Sequence, residues 1–211
     1  GVDYIQKRIE KILPEENKVK LEDETLSYDV LIIATGSKIA PDEVDGMKGE
    51  NWHKNVFDFY TYEGALALRN KLREFDGGKL VVHITEMPIK CPVAPLEFAF
   101  LADSYFDKKG IRDKVDITYV TPLSGAFTKH NCSVELQYLL DEKNIKLETD
   151  FAIMEVDNEN NQIVDYAERA IPYDLLVTVP TNMGDELIER SDMGDDLNFV
   201  PTHPNTLQSK D

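Results

Sequence analysis

Cys91 is the residue of this chain best suited to covalent chemistry. It stands in Lys90-Cys91-Pro92-Val93-Ala94-Pro95-Leu96-Glu97, ahead of a stretch read as a helix over about 95–106. Proline after Cys91 biases its backbone away from the helical region, and Pro95 suits the first helical position. The thiol therefore lies just before a helix N-terminus, near the positive end of its dipole, with Lys90 beside it. Both features favour the thiolate, the nucleophilic form of sulfur. A packed, structural cysteine is the competing reading, because free Cys is among the most buried residue types.

The segment ahead of Cys91, Ile84-Thr85-Glu86-Met87-Pro88-Ile89-Lys90, contains no glycine. A strand–loop–helix that binds a dinucleotide needs glycines there, so that the backbone can approach the pyrophosphate. Glu86 also brings negative charge where phosphates would sit. The expectation is a nicotinamide-binding architecture that does not hold NAD tightly. Cys132 is read as structural, with Asn131 and Ser133 as capping residues ahead of a helix. His53, His83, His130 and His203 are isolated in sequence, none at metal-ligand spacing, so no metal site is expected. The acidic runs Glu22-Asp23-Glu24 and 192–196 lack the ligand order of a calcium loop.

The elements that position Cys91 follow from pattern. Tyr28-Asp29-Val30-Leu31-Ile32-Ile33-Ala34-Thr35-Gly36 is an apolar run of strand length bounded by turn signals, and reads as a fully buried strand. Thr61 is a helix cap with Glu63 in the first turn, and Gly77-Gly78 stops that helix. Strands are expected over 79–85, 115–121 and 145–149, and helices over about 95–106 and 133–142. The 95–106 helix is apolar almost all around, which predicts cover on more than one side. This β-α-β-α-β order argues a parallel sheet flanked by helices. The pattern of acidic turn, strands and apolar run over 10–35 recurs over 155–180. Each copy reads as an antiparallel meander followed by a buried strand, although alternating strands and acidic turns also arise by chance. From Thr181 onward the composition is polar and turn-rich, and reads as irregular.

Composition excludes several classes. Acidic residues number 40 and basic residues 23, a formal net charge of −17, which argues against nucleic acid as a partner. No apolar run reaches membrane-spanning length. Two cysteines supply no disulfide framework, and a reducing, cytoplasmic compartment is the default.

Ala34-Thr35-Gly36 resembles the signature that closes the FAD-binding domain in flavoproteins with two dinucleotide-binding domains. The segment Cys91-Pro92-Val93-Ala94-Pro95-Leu96-Glu97 resembles the Cys-Pro-x-Ala-Pro-x-Glu segment of sulfide:quinone oxidoreductase-like flavoproteins. Similar matches run through 121–129, 197–201 and 206–210, so the resemblance covers nearly the whole chain. It implies an α/β fold: a Rossmann-like parallel sheet flanked by helices, with an antiparallel β-meander. Residues 1–48 would close the FAD-domain portion, 49–181 would form an NAD(P)-binding-like domain, and 182–211 would return toward the FAD domain.

The resemblance further implies that Cys91 lies beside FAD and works with a second cysteine from near the C-terminus, sulfide sulfur being held between them. Electrons would pass to FAD and then to a quinone. Ala34, Thr35, Gly36 and Pro92 are the expected cofactor-binding residues. The glycine-free loop fits a family that does not use NAD. Phe59-Tyr60-Thr61 stands where some members carry another cysteine, and Ala126 where some carry a histidine. Because Ala34-Thr35-Gly36 comes so early, the chain is read as an internal piece of a larger enzyme, inactive and without FAD on its own. Attachment to a membrane surface would run through other regions, and a homodimer is allowed. Two rivals stay open: an NADH-dependent quinone or disulfide oxidoreductase of the same fold, and a non-catalytic interaction or dimerisation module.

Overall fold

A computed structural model describes residues 1–210. The chain divides into two compact units, one of residues 1–38 with 182–211 and the other of residues 39–181.

In the first unit, β1 (Ile9–Leu13), β2 (Lys18–Leu21) and β3 (Thr25–Ser27) form an antiparallel meander with β2 in the middle. Asn17 takes the left-handed conformation between β1 and β2, a backbone geometry that Asn tolerates better than most residues. The apolar run after β3 does not form the buried strand that its composition suggests. Residues 28–36 contain no strand, and Val30 and Ile32 are 82% and 85% exposed, whereas Leu31 and Ile33 are half-buried. A run of this kind becomes an interior strand only when neighbours hydrogen-bond along it. Strand β4 (Ser37–Ala40) follows and carries the chain into the second unit.

The second unit holds a five-stranded parallel sheet in the order β5-β12-β6-β7-β8. Its strands are β5 (Val56–Phe57), β6 (Gly78–Ile84), β7 (Val115–Val120), β8 (Ile145–Glu148) and β12 (Leu175–Val179). Three helices connect them: α1 (Tyr62–Glu74), α2 (Ala94–Lys108) and α3 (His130–Glu142). A second meander, β9 (Ile153–Asp157), β10 (Gln162–Asp165) and β11 (Ala170–Pro172), precedes β12.

Alternation along the strands sorts the core into two layers. Leu80, Val82 and Ile84 pack with Leu68, Leu96, Ala99, Phe106 and Leu140, the buried residues of the three helices. Val81 and Leu176 point the other way, into a cluster with Val156 and Ile163 of the meander and Met47 of the 41–55 loop. One face of the sheet is thus covered by helices and the other by antiparallel strands.

Three local expectations change. Helix α3 begins at His130, so Cys132 lies inside its first turn, exposed and not ahead of the helix. Ser133 does not cap the helix; its hydroxyl accepts from the Phe127 amide. On α2, Leu101 and Tyr105 are exposed, one turn apart, so that helix is covered on one side only. The two meander copies agree in strand order, but only the second is followed by a fully buried strand: Leu175–Val179 is buried at all five positions between β5 and β6. The chain then returns to the first unit through β13 (Thr181–Gly184) and α4 (Glu186–Arg190).

Candidate active site at the carboxyl edge of the parallel sheet

Strand β6 lies at the centre of the sheet, paired with β7 on one side and β12 on the other. In open parallel sheets ligands bind in the crevice outside the carboxyl ends of the strands. The loop leaving β6 therefore occupies the position of greatest chemical interest, and Cys91 is on it. Cys91 is exposed in this chain. Ile89, buried at the base of the loop, anchors it to the helical layer. Pro95 and Leu96 are buried in the first turn of α2, and Pro92 beside Cys91 is half-buried. No side chain caps that helix.

The Cys91 carbonyl accepts two hydrogen bonds, from the Ala94 amide at 3.2 Å and from the Tyr60 hydroxyl at 2.9 Å. Burial, and then the nearby Cys91 charge, push the Tyr60 phenol up to about 12, so it is a neutral donor across the physiological range. Its ring stands edge-on to Phe59, which stacks on Phe98 of α2.

Asp58 lies two residues before Tyr60, at the end of β5, with 1% of its surface exposed. Its carboxylate accepts from the Tyr60 amide (2.9 Å), the Thr61 amide (2.7 Å) and the Thr61 hydroxyl (3.1 Å). Thr61 in turn caps α1 by accepting from the Gly64 amide, as its sequence position predicts. Gly64 is required there, because a Cβ would stand 2.1 Å from an Asp58 carboxylate oxygen. His53 closes the cluster, its Nε2 3.2 Å from Asp58, with the ring stacked on Trp52.

Asp58, Tyr60 and the His53 partnership escape a reading by motif. The stretch 37–60 looks like loop, and His53 looks isolated. A signal was nonetheless present in Asp58-Phe59-Tyr60-Thr61: an acidic residue three positions ahead of a capping threonine, able to accept the free amides that precede a helix.

Glu86 is half-buried at the same edge and accepts from the Thr181 hydroxyl at 2.6 Å. His83, one strand residue deeper, is wholly buried; its Nδ1 meets the Thr178 hydroxyl at 2.9 Å, and burial lowers its pKa to about 3. It is a neutral core histidine. His130 and His203 are exposed, and no cluster of three or more potential metal ligands exists among the described residues.

Ala34, Thr35 and Gly36 are in the other unit. With the rest of residues 30–36 they line a groove of about 840 Å3, shared with Gly184, Asp185 and Phe199. Gly36 has φ +77°, and nothing lies within 4 Å of where its Cβ would stand.

No family model matches the chain. It is 25% identical over 217 residues to the mitochondrial sulfide:quinone oxidoreductase of Mus musculus, an alignment covering 100% of this chain and 48% of that protein. It is 33% identical over 131 residues to the sulfide-quinone reductase of Aquifex aeolicus, covering 60% of this chain and 29% of the relative. The crystal structure of the Aquifex aeolicus sulfide:quinone oxidoreductase superposes with a TM-score of 0.77 at 23% identity, over 93% of this chain and 47% of that one, which establishes a shared fold. The chain spans about half the length of the mitochondrial relatives it matches. Along its entire length, the chain is similar in sequence to mitochondrial sulfide:quinone oxidoreductases.

Proposed function

We propose that this chain serves a flavin-dependent oxidoreductase that oxidises sulfide and delivers the electrons to a quinone, with Cys91 as its nucleophilic sulfur. One observation carries the proposal: an exposed thiol on the loop at the carboxyl end of the central strand of a parallel sheet, with no glycine there to receive a diphosphate. The names of the relatives supply the substrate pair.

Residues 49–181 are the NAD(P)-binding-like domain in this proposal, and residues 1–48 and 182–211 belong with the FAD domain. The 30–36 groove suits FAD: it is apolar along Val30–Ala34, and the open face of Gly36 leaves the peptide accessible to a ligand. Ala34, Thr35 and Gly36 would hold the cofactor in that unit; Pro92, which the family resemblance also implies as a cofactor-binding residue, belongs to the 39–181 unit. When bound, the flavin supplies two-electron acceptance from a sulfur donor and one- or two-electron delivery to a quinone. The chain's own part is narrower. Cys91 would start in a disulfide with a second cysteine, which the family resemblance implies near the C-terminus. Hydrosulfide attacks that disulfide, the S–S bond breaks, the second cysteine carries the persulfide, and Cys91 leaves as the thiolate, the disulfide being the two-electron oxidant of this step. Glu86 keeps nicotinamide diphosphates out of the crevice. No helix among the described residues is long and apolar enough to cross a membrane.

Cys132 is also exposed and makes an internal reference thiol. Under limiting iodoacetamide at neutral pH, Cys91 should alkylate about ten-fold faster than Cys132, read by peptide mass spectrometry. Equal rates at the two thiols would favour the non-catalytic alternative.

A further inference from the structure

We propose that Tyr60 is the positioning residue of Cys91, and that the buried Asp58 carboxylate sets Tyr60 in place for that task. The inference deepens the proposed function and rests on it for its purpose, although the linkage itself stands on geometry alone.

The loop between β6 and α2 is held at several points. Among them are the bond from Thr181 to Glu86, the buried Ile89 side chain and the bonds received by the Cys91 carbonyl. One of the carbonyl's two bonds, from Ala94, is local and belongs to the turn that opens the helix. The other comes from Tyr60, 31 residues away in sequence and on a different connection of the sheet. Such a bond ties the thiol-bearing peptide to the rigid end of β5, which the local turn cannot do.

Tyr60 is itself held from behind. Asp58 accepts its backbone amide together with both donors of Thr61, so three bonds fix the peptide from which the phenol projects. The ring is braced by Phe59, and Phe59 by Phe98 on α2, which begins just beyond Cys91. The hydroxyl stays protonated at every pH where a thiolate is useful, so the clamp does not release on titration. An Asp anchor, a neutral phenol donor and the carbonyl of a reactive cysteine thus form one connected path across the carboxyl edge.

The path makes a specific demand on variants. Tyr60→Phe removes the hydroxyl and keeps the ring packing. Loss of one such bond should raise the hydrogen-exchange rate of the Ala94 amide about five-fold. The Cys91:Cys132 alkylation ratio should fall by about two-fold or more, since the thiol loses its fixed presentation. Amides in the middle of β6 should keep their rates. Asp58→Ala, which removes the acceptor of the Tyr60 amide, should have the same two effects, and the double variant should add little, because both changes cut one path. A general loss of stability would speed Cys132 and the β6 amides as well. If Tyr60→Phe folds and leaves both the Ala94 exchange rate and the thiol ratio unchanged, the clamp does not exist. If Cys91 is no faster than Cys132 in the unaltered chain, the redox role falls, and the exchange rates still decide the clamp.

Discussion

Replacing Asp103 with Asn should lower the stability of the 39–181 unit by a predictable amount. Asp103 lies on α2 with its side chain 12% exposed, and it accepts from Arg112 Nε at 2.6 Å and Lys143 Nζ at 2.8 Å. Arg112 also donates to the carbonyls of Val115, Lys143 and Asn144, so one guanidinium ties α2 to the start of β7 and the end of α3. Removing the carboxylate leaves that part-buried cation without a counter-charge. Breaking a buried pair costs about 3–5 kcal/mol and an exposed one about 0–1. Arg112 is 18% and Lys143 41% exposed, so about 2 kcal/mol is expected, or roughly 5 °C in Tm for a chain of this size. The single tryptophan, Trp52, is in the same unit, and its fluorescence on heating provides the assay. Burial by itself would raise the Asp103 pKa, but the bonds from Lys143 and Arg112 outweigh it and hold the carboxyl below the usual range. A lowered folded-state pKa means this stabilisation is present above the unfolded value, about 4, and disappears as pH falls through the folded one. The difference between Asp103→Asn and the unaltered chain should therefore shrink in acid. A Tm within about 1 °C of the unaltered chain at neutral pH would refute the electrostatic account of this corner.

Gly64→Ala would gain about 1 kcal/mol from helix propensity alone, yet its Cβ would collide with the Asp58 carboxylate. We expect a net loss of about 1–3 kcal/mol on chemical unfolding, the range for overpacking. His83 is neutral in the fold, with burial lowering its pKa to about 3, while the unfolded chain binds a proton below about 6.5. Stability should thus fall as pH drops through this window, by up to about 1.4 kcal/mol per pH unit. His83→Leu should flatten that slope in Trp52 fluorescence melts at pH 7 and pH 5, and an unaltered slope would show that another group is responsible.

Much of the architecture was legible because it is written in local pattern. The runs 79–85, 115–121 and 145–149 are rich in apolar and β-branched residues, and Thr61 announces its helix through a side-chain bond that needs no tertiary context. The run 28–36 misled for a physical reason. Its composition matches that of Leu175–Val179, but burial requires paired neighbours, and composition does not say whether they exist. Cys91 could be found from the prolines and the missing glycines around it. Its support could not, since Tyr60 meets it only when β5 and β6 are brought into one sheet with β12 between them. His53 was unreadable in the same way, its meaning set by a backbone that folds it back onto Asp58.

The sulfur at the carboxyl edge of the parallel sheet is the heart of the account, and anaerobic flavin absorbance in the longest natural protein carrying this chain tests it most directly. Sulfide should bleach the flavin while NADH leaves it oxidised, and Cys91→Ser should slow the sulfide reaction at least about 100-fold, in the range lost when a nucleophile is removed. Rapid bleaching by NADH, or a Cys91→Ser protein as fast as the unaltered one, would contradict the account.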